Sequence, residues 1–275
     1  MRQASGPSLA GVALAALLAV APAAAAEPPP AADPADPAAA IAYSQAAVGR
    51  QVEDLAFLDR QRRTVRLSDY RGKPLVVSLV YTGCADICPV IVQTLHRALS
   101  MAQAALGPDS FRTVTIGFDA RGDTPERMRA FARSQGADLP NWEFLSGDAR
   151  TIEALTAQLG FVYFPSPKGF DHLAQTTVLD PEGRVYRQVY GSEFAPPALV
   201  EPLKSLAYGT QGSLASVAGI VNRVRLFCTL YDSRRGRYKF DYSVFIGGTV
   251  GFLSLAAIAF VAARGWWRSR PPRRA

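Results

Sequence analysis

From Ser243 to Ala263 the chain runs for 21 residues without a charged side chain, in a mixture rich in Phe, Ile, Leu, Val, Ala and Gly. In lipid a backbone must satisfy its own hydrogen bonds, so such a stretch is committed to a helix, and ~20 apolar residues suffice to cross the hydrocarbon layer. Tyr242 before the run and Trp266 and Trp267 after it are residues suited to a membrane–water interface. Five arginines follow (Arg264, Arg268, Arg270, Arg273, Arg274) with no acidic residue among them. The positive-inside rule keeps these in the cytoplasm, so residues 264–275 read as a cytoplasmic basic tail and the preceding domain lies outside.

The other end of the chain agrees. Arg2 is followed by a 13-residue apolar run, Leu9 to Ala21, then Pro22 and the small residues Ala23 to Ala26. This is the order of a secretory signal, so residues 1–26 are expected to be a signal peptide cleaved after Ala26. Thirteen residues fall short of the ~20 needed to span a bilayer. Arg2 and the five terminal arginines supply six of the seven net positive charges. The region between is close to neutral, which excludes a nucleic-acid groove as its purpose. The expected location is the inner cell membrane, single-pass, with the folded domain on the periplasmic side.

Residues 27–44 form a Pro/Ala-rich linker, its first part (27–40, EPPPAADPADPAAA) expected to be extended. The folded domain is expected over 45–206 and a membrane-proximal segment over 207–242. Within that segment Leu214, Val217, Ile220, Val221 and Val224 recur at helical spacing. Inside the domain, Leu55–Leu58 and Thr64–Leu67 read as short strands. Leu75–Tyr81 and Phe111–Phe118 read as buried strands, with a helix from Pro89 to Leu106 between them. Asp123-Thr-Pro-Glu126 has capping-box spacing, with Asp123 as N-cap of a helix to about Arg133. Trp142–Leu145 and Phe161–Phe164 are further short strands around a helix at Ala149–Leu159. Thr176–Leu179 and Arg184–Tyr190 form a hairpin across Asp180-Pro-Glu-Gly183. A last helix near Leu199–Tyr208 contains Pro202. The alternation gives an α/β sandwich, a central mixed sheet flanked by helices, with a parallel central pair and an antiparallel edge.

Three cysteines and two histidines make the search for chemistry short. Cys84 and Cys88, in Tyr81-Thr-Gly-Cys-Ala-Asp-Ile-Cys-Pro89, stand where a buried strand meets a helix. Positions four apart share a helix face, so the sulfurs can form a disulfide or hold one ion between them. A helix N-terminus favours thiolate, the form both reactions require. A structural disulfide across so short a loop contributes little chain-entropy stabilisation, which argues for function. His172, in Gly169-Phe-Asp-His-Leu, is expected in a loop facing that junction. Two thiolates and an imidazole make a soft three-coordinate site suited to Cu(I) and workable for Cu(II). Asp119 and Asp171 are candidates for supporting contacts to the ligands. His96 lies about 12 Å along the helix from Cys88 and is too distant to share a metal. Cys228 reads as a buried small hydrophobe.

Taken together these residues resemble the SCO/SenC family: Cys84-x-x-x-Cys88-Pro89 after a strand ending Tyr-Thr, Leu67-Ser-Asp-Tyr-Arg-Gly-Lys-Pro74 before it, Phe118-Asp-Ala-Arg-Gly-Asp-Thr-Pro-Glu126 after it, and the late Asp171-His172. The similarity covers residue 50 to about 206. The segment Phe227-Cys-Thr-Leu-Tyr-Asp…Gly-Arg-Tyr238 with its span resembles longer, C-terminally anchored members. The resemblance implies a thioredoxin-like fold and a copper metallochaperone delivering a copper ion, Cu(I) or Cu(II), to the dinuclear centre of cytochrome c oxidase subunit II. It carries over Cys84, Cys88 and His172 as ligands. Ala85 departs from the family, which usually has Pro after the first cysteine. An oxidising compartment works against a reduced pair, so a periplasmic thiol reductant or copper donor is an expected partner. A competing reading is a thiol–disulfide oxidoreductase using Cys84 and Cys88 as a redox disulfide. A peroxiredoxin-like peroxidase fits less well, because Thr82 stands two positions before Cys84 and that family has three. A non-catalytic scaffold with a permanent disulfide is the remaining alternative.

Overall fold

The computed structural model describes residues 36–167, 169–209, 221, 228–232, 235 and 237–269. The expected signal peptide, most of the helical-spacing stretch at 214–228, and the tail from Arg270 onward lie outside them. In chain order the first elements are α1 (Pro37–Gln45), β1 (Ala56–Leu58), β2 (Thr64–Arg66), β3 (Leu75–Val80), α2 (Ile87–Leu106) and β4 (Arg112–Gly117). Next come α3 (Pro125–Ser134), β5 (Trp142–Ser146), α4 (Ala149–Leu159), β6 (Tyr163–Ser166) and β7 (Gly169–His172). The chain continues through β8 (Gln175–Leu179), β9 (Val185–Tyr190), α5 (Pro197–Gly209), β10 (Thr229–Asp232), β11 (Arg237–Phe240) and α6 (Ser243–Ser269).

All six residues of β3 are buried, and a strand without a polar face needs cover on both sides. It lies inside a seven-stranded sheet of order β2-β1-β5-β4-β3-β8-β9. β3 runs parallel to β4, with Leu75 opposite Arg112 and Val80 opposite Gly117, and β4 runs parallel to β5. β8 joins β3 from the other side antiparallel, Ser78 opposite Thr176, and hairpins into β9. This is the expected mixed sheet flanked by helices. α2 presents Cys88, Ile91, Val92, Leu95, Ala98, Leu99 and Ala102 to the core at three- and four-residue intervals. Phe111, Trp142, Phe144, Leu155 and Leu159 fill the core from the strands and α4. α5 accommodates Pro202 because Leu199, Val200, Leu203 and Leu206 are all buried. Burial of four such side chains, about 1.5–3 kcal/mol each, exceeds the roughly 3 kcal/mol cost of an interior proline.

The structure corrects the sequence reading at four places. Residues 37–40 of the expected extended linker are helical: Asp36 accepts the Ala38 N–H at 2.8 Å, Pro37 occupies the first turn, and the alanines that follow belong to α1. An N-cap followed by good helix formers overrides proline-rich composition here. The N-cap of α3 is Thr124, whose Oγ1 accepts the Arg127 N–H, while Asp123 turns into the protein. His172 is in no loop; it ends β7, which pairs with β6 as a separate two-stranded ribbon, His172 opposite Tyr163. A second ribbon, β10–β11, forms in the membrane-proximal segment, where no strands were expected. α6 carries one apolar span long enough to cross a membrane, Phe245–Trp267, with none of it buried in the protein.

Candidate metal centre

The two candidate sulfurs are placed by the end of β3 and the start of α2. Beyond Val80 the chain turns through Tyr81, Thr82 and Gly83, the Cys84 N–H closing the turn onto the Tyr81 carbonyl at 3.1 Å. The first turn of α2 then lacks an oxygen cap, since the Asp86 side chain accepts no hydrogen bond there. Cys84 Sγ takes its place and accepts the Cys88 N–H at 3.3 Å. Partial burial opposes a charge on Cys84, but the N–H groups of Cys88, Asp86 and Ile87 and the Cys88 thiol outweigh it and hold Cys84 below the ordinary thiol range. Cys88 is fully buried, and burial pushes its thiol well above that range. Both cysteines are free thiols. The pair is therefore asymmetric: a half-exposed sulfur stabilised as thiolate, backed by a buried sulfur that holds its proton.

Two further residues shape this loop, neither of them assigned to it from the sequence. Asp123 is buried, and its Oδ1 accepts both the N–H and the hydroxyl of Thr82 at 2.7 Å, while Oδ2 accepts the Asp119 N–H at 3.0 Å. Burial pushes this carboxyl up despite those donors. The capping spacing that drew attention to Asp123 assigned it to the wrong partner. Tyr81 packs its ring edge-on against Phe118 and Phe170 at 5.4 and 5.3 Å between centroids. Its hydroxyl is hydrogen-bonded to Cys84 and receives the Phe170 N–H, so it joins the cysteine loop to β7. Burial first, and then Cys84, raise the phenol above its ordinary range.

His172 is half-buried among aromatic rings, 5.4 Å from Phe118, 5.7 Å from Phe161 and 6.4 Å from Tyr81. Burial lowers its pKa below the ordinary 6.5, against the opposing Leu173 carbonyl and Asp171, which keeps the ring neutral at pH 7. Nδ1 lies 3.2 Å from the Leu173 carbonyl. A proton on Nδ1 makes that hydrogen bond and leaves the Nε2 lone pair for a ligand. Asp171 is exposed and, as its strand neighbour, points from the opposite face of the ribbon. Asp119 sits in the β4–α3 turn, where Oδ1 accepts the Arg121 N–H at 3.2 Å. His96 stands apart, with Nε2 3.5 Å from Asp138 and its ring over Trp142. Cys228 is buried at the start of β10.

The structure thus brings Cys84 and Cys88 together, and Tyr81 neighbours both Cys84 and the His172 ring. Among the described residues, no three His, Cys, Asp or Glu side chains stand close enough to hold one ion. The arrangement can do two things chemically. It can form a Cys84–Cys88 disulfide, or it can bind a soft ion through two sulfurs.

Comparison with known proteins gives these features a context. The SCO1/SenC family profile matches residues 45–208. The SCO1 protein homolog of Bacillus subtilis is 24% identical over 150 residues, which is 53% of this chain and 77% of that protein. The mitochondrial SCO2 homolog of Bos taurus is 28% identical over 148 residues, 52% of this chain and 54% of that protein, so the match spans only about half of the bovine relative. Among solved structures, a SCO1/SenC family lipoprotein from Bacillus anthracis superposes with a TM-score of 0.53 at 22% identity, covering 58% of this chain and 96% of that one. That likeness shows the fold: a thioredoxin-like mixed sheet with flanking helices.

Proposed function

The chain belongs to the SCO1/SenC family, and from that premise we propose that it is a membrane-anchored copper metallochaperone. Copper is its cargo. Cys84 and Cys88 supply sulfur, His172 supplies Nε2, and the ion passes by ligand exchange to the dinuclear copper centre of cytochrome c oxidase subunit II. The observation that carries the reading is the unequal cysteine pair on the N-terminus of α2. The sulfur that gives up its proton more readily captures the ion, and the buried thiol releases its proton to the solvent when it becomes the second ligand. The neutral, Nδ1-anchored imidazole is the form a soft metal takes. The helix α6 anchors the domain, with the site on the periplasmic side and the basic tail in the cytoplasm.

The test is metal analysis and absorption spectroscopy of the reduced protein loaded with Cu(I) and with Cu(II). His172→Ala is expected to keep the fold and weaken copper binding by more than about tenfold, since even partners behind a ligand contribute that much. Unchanged Cu(II) affinity and spectrum in that variant would rule out the three-ligand site. The second reading, a thiol–disulfide oxidoreductase acting on the oxidase subunit or another exported protein, is favoured by the same asymmetry: Cys84 would attack and Cys88 resolve. Turnover of a disulfide substrate that is indifferent to both copper and His172 would select it.

A further inference from the structure

The β10–β11 ribbon has two unlike faces. By register Thr229, Tyr231, Tyr238 and Phe240 share one of them, and Leu230, Asp232, Arg237 and Lys239 the other. The first face is docked on the domain. Buried Lys204 of α5 donates to the Thr229 carbonyl at 2.8 Å, pairs with Glu201 at 2.8 Å and stands 5.9 Å over the Tyr238 ring. The Tyr238 hydroxyl in turn donates to Glu201 at 2.8 Å. The second face is open at Leu230, which is 45% exposed, and at Arg237, Lys239 and the turn residue Arg235, while Asp232 on that face is largely buried and pairs with Lys239 at 3.3 Å. Residues 229–242 contain four basic and two acidic side chains. The ribbon also abuts the apolar span, because the Phe240 ring lies 6.0 Å from that of Phe245, the first residue of the span. Asp241 meanwhile accepts the Ser243 N–H at 2.9 Å where α6 begins.

From this placement we infer that the β10–β11 ribbon is a membrane-surface foot, its open face resting on anionic phospholipid headgroups. The inference rests on the proposed anchoring by α6. A surface-exposed leucine and tyrosine (Tyr242 is 64% exposed) among basic side chains is the composition that interfacial segments use. With its other face locked to α5, the ribbon cannot swing freely, so contact with the headgroups orients the whole domain. The ribbon meets α2 at its C-terminal end, where Tyr208 also donates to the Leu106 carbonyl. Cys88 sits in the first turn of the same 20-residue helix, about 27 Å from Leu106 at 1.5 Å per residue. The foot therefore holds the cysteine loop at the end of the domain remote from the ribbon, facing a recipient rather than the lipid.

The experiment uses the full chain in nanodiscs of phosphatidylcholine alone or with phosphatidylglycerol. A nitroxide is attached through Leu230→Cys in a Cys84→Ser background, the other two cysteines being buried. Circular dichroism verifies the fold. The expected result is loss of nitroxide access to a water-borne nickel relaxant in the anionic discs, reversed by salt. Arg235→Glu with Arg237→Glu should weaken the preference for anionic discs by about tenfold or more, since each basic residue near such a surface contributes roughly fivefold. Equal access in both lipids overturns the inference while leaving the anchor intact, as does shielding that appears only when an acidic soluble protein is added. Failure of the chain to enter the discs at all overturns the anchoring and the foot with it.

Discussion

A sulfur at the first turn of α2 occupies the position where an oxygen side chain ordinarily caps a helix, and that substitution defines the chemistry of the pair. Cys84 gains three backbone donors and some solvent; Cys88 has one such donor, from Tyr81, and no solvent. Limiting iodoacetamide at pH 7 is therefore expected to label Cys84 well ahead of Cys88 and Cys228, as read by peptide mass spectrometry. Its labelling should persist as the pH falls below the ~8.5 of a free thiol. The linkage has the same sign. A folded-state thiol lowered relative to the unfolded chain stabilises fully above the unfolded value, and that contribution is lost as the pH falls through the lowered one. Equal labelling of Cys84 and Cys88 would contradict the asymmetry. The identities of the candidate ligands were legible from residue type and spacing. The inward turn of Asp123 was not, because it depends on room beside Gly117, where a Cβ would stand 2.3 Å from that of Asp123.

At the scale of elements, the β6–β7 ribbon decides where the imidazole can be. Gly169, the first residue of β7, has φ +118°, and a Cβ there would come within 2.8 Å of the Tyr81 hydroxyl. Gly169→Ala is expected to destabilise the protein by about 1–3 kcal/mol in urea unfolding, through backbone strain and a displaced Tyr81. Copper binding should weaken in parallel, because the same residue ties β7 to the cysteine loop. Wild-type stability in that variant would mean that the contact between Tyr81 and the ribbon is slack. The long elements could be read from periodicity: α2, α4 and the buried strands β3 and β4 follow the expected ranges to within two residues. The ribbons β6–β7 and β10–β11 could not be anticipated as units, since four-residue strands carry too few alternations to distinguish a strand from a loop.

For the whole molecule, the apolar helix α6 and the domain are independent as regards burial. The span Phe245–Trp267 contributes nothing to the core, which closes around Phe111, Phe118, Trp142 and Phe144. A chain ending after Tyr242 is expected to remain folded and become soluble without detergent, with a melting temperature within about 4 °C of the full protein. That limit corresponds to roughly 1–2 kcal/mol for a domain of this size. Scanning calorimetry checks it, and a larger loss would show that α6 stabilises the domain it follows.

The amino-acid sequence by itself determined the elements whose signal is local and repeated: an uncharged run long enough for lipid, buried strands without polar positions, a helix with an apolar stripe, and two cysteines one turn apart. Those features depend on backbone periodicity and side-chain transfer energy, which a linear pattern displays. Only the tertiary structure decided that Cys84 caps a helix while Cys88 is sealed beneath it. It also decided that Asp123 holds Thr82, that Tyr81 stands against both Cys84 and the His172 ring, and that a ribbon joins the domain to its span. Each of these depends on which distant surfaces meet, and on the exclusion of water where they do, neither of which is encoded in any short stretch of the chain.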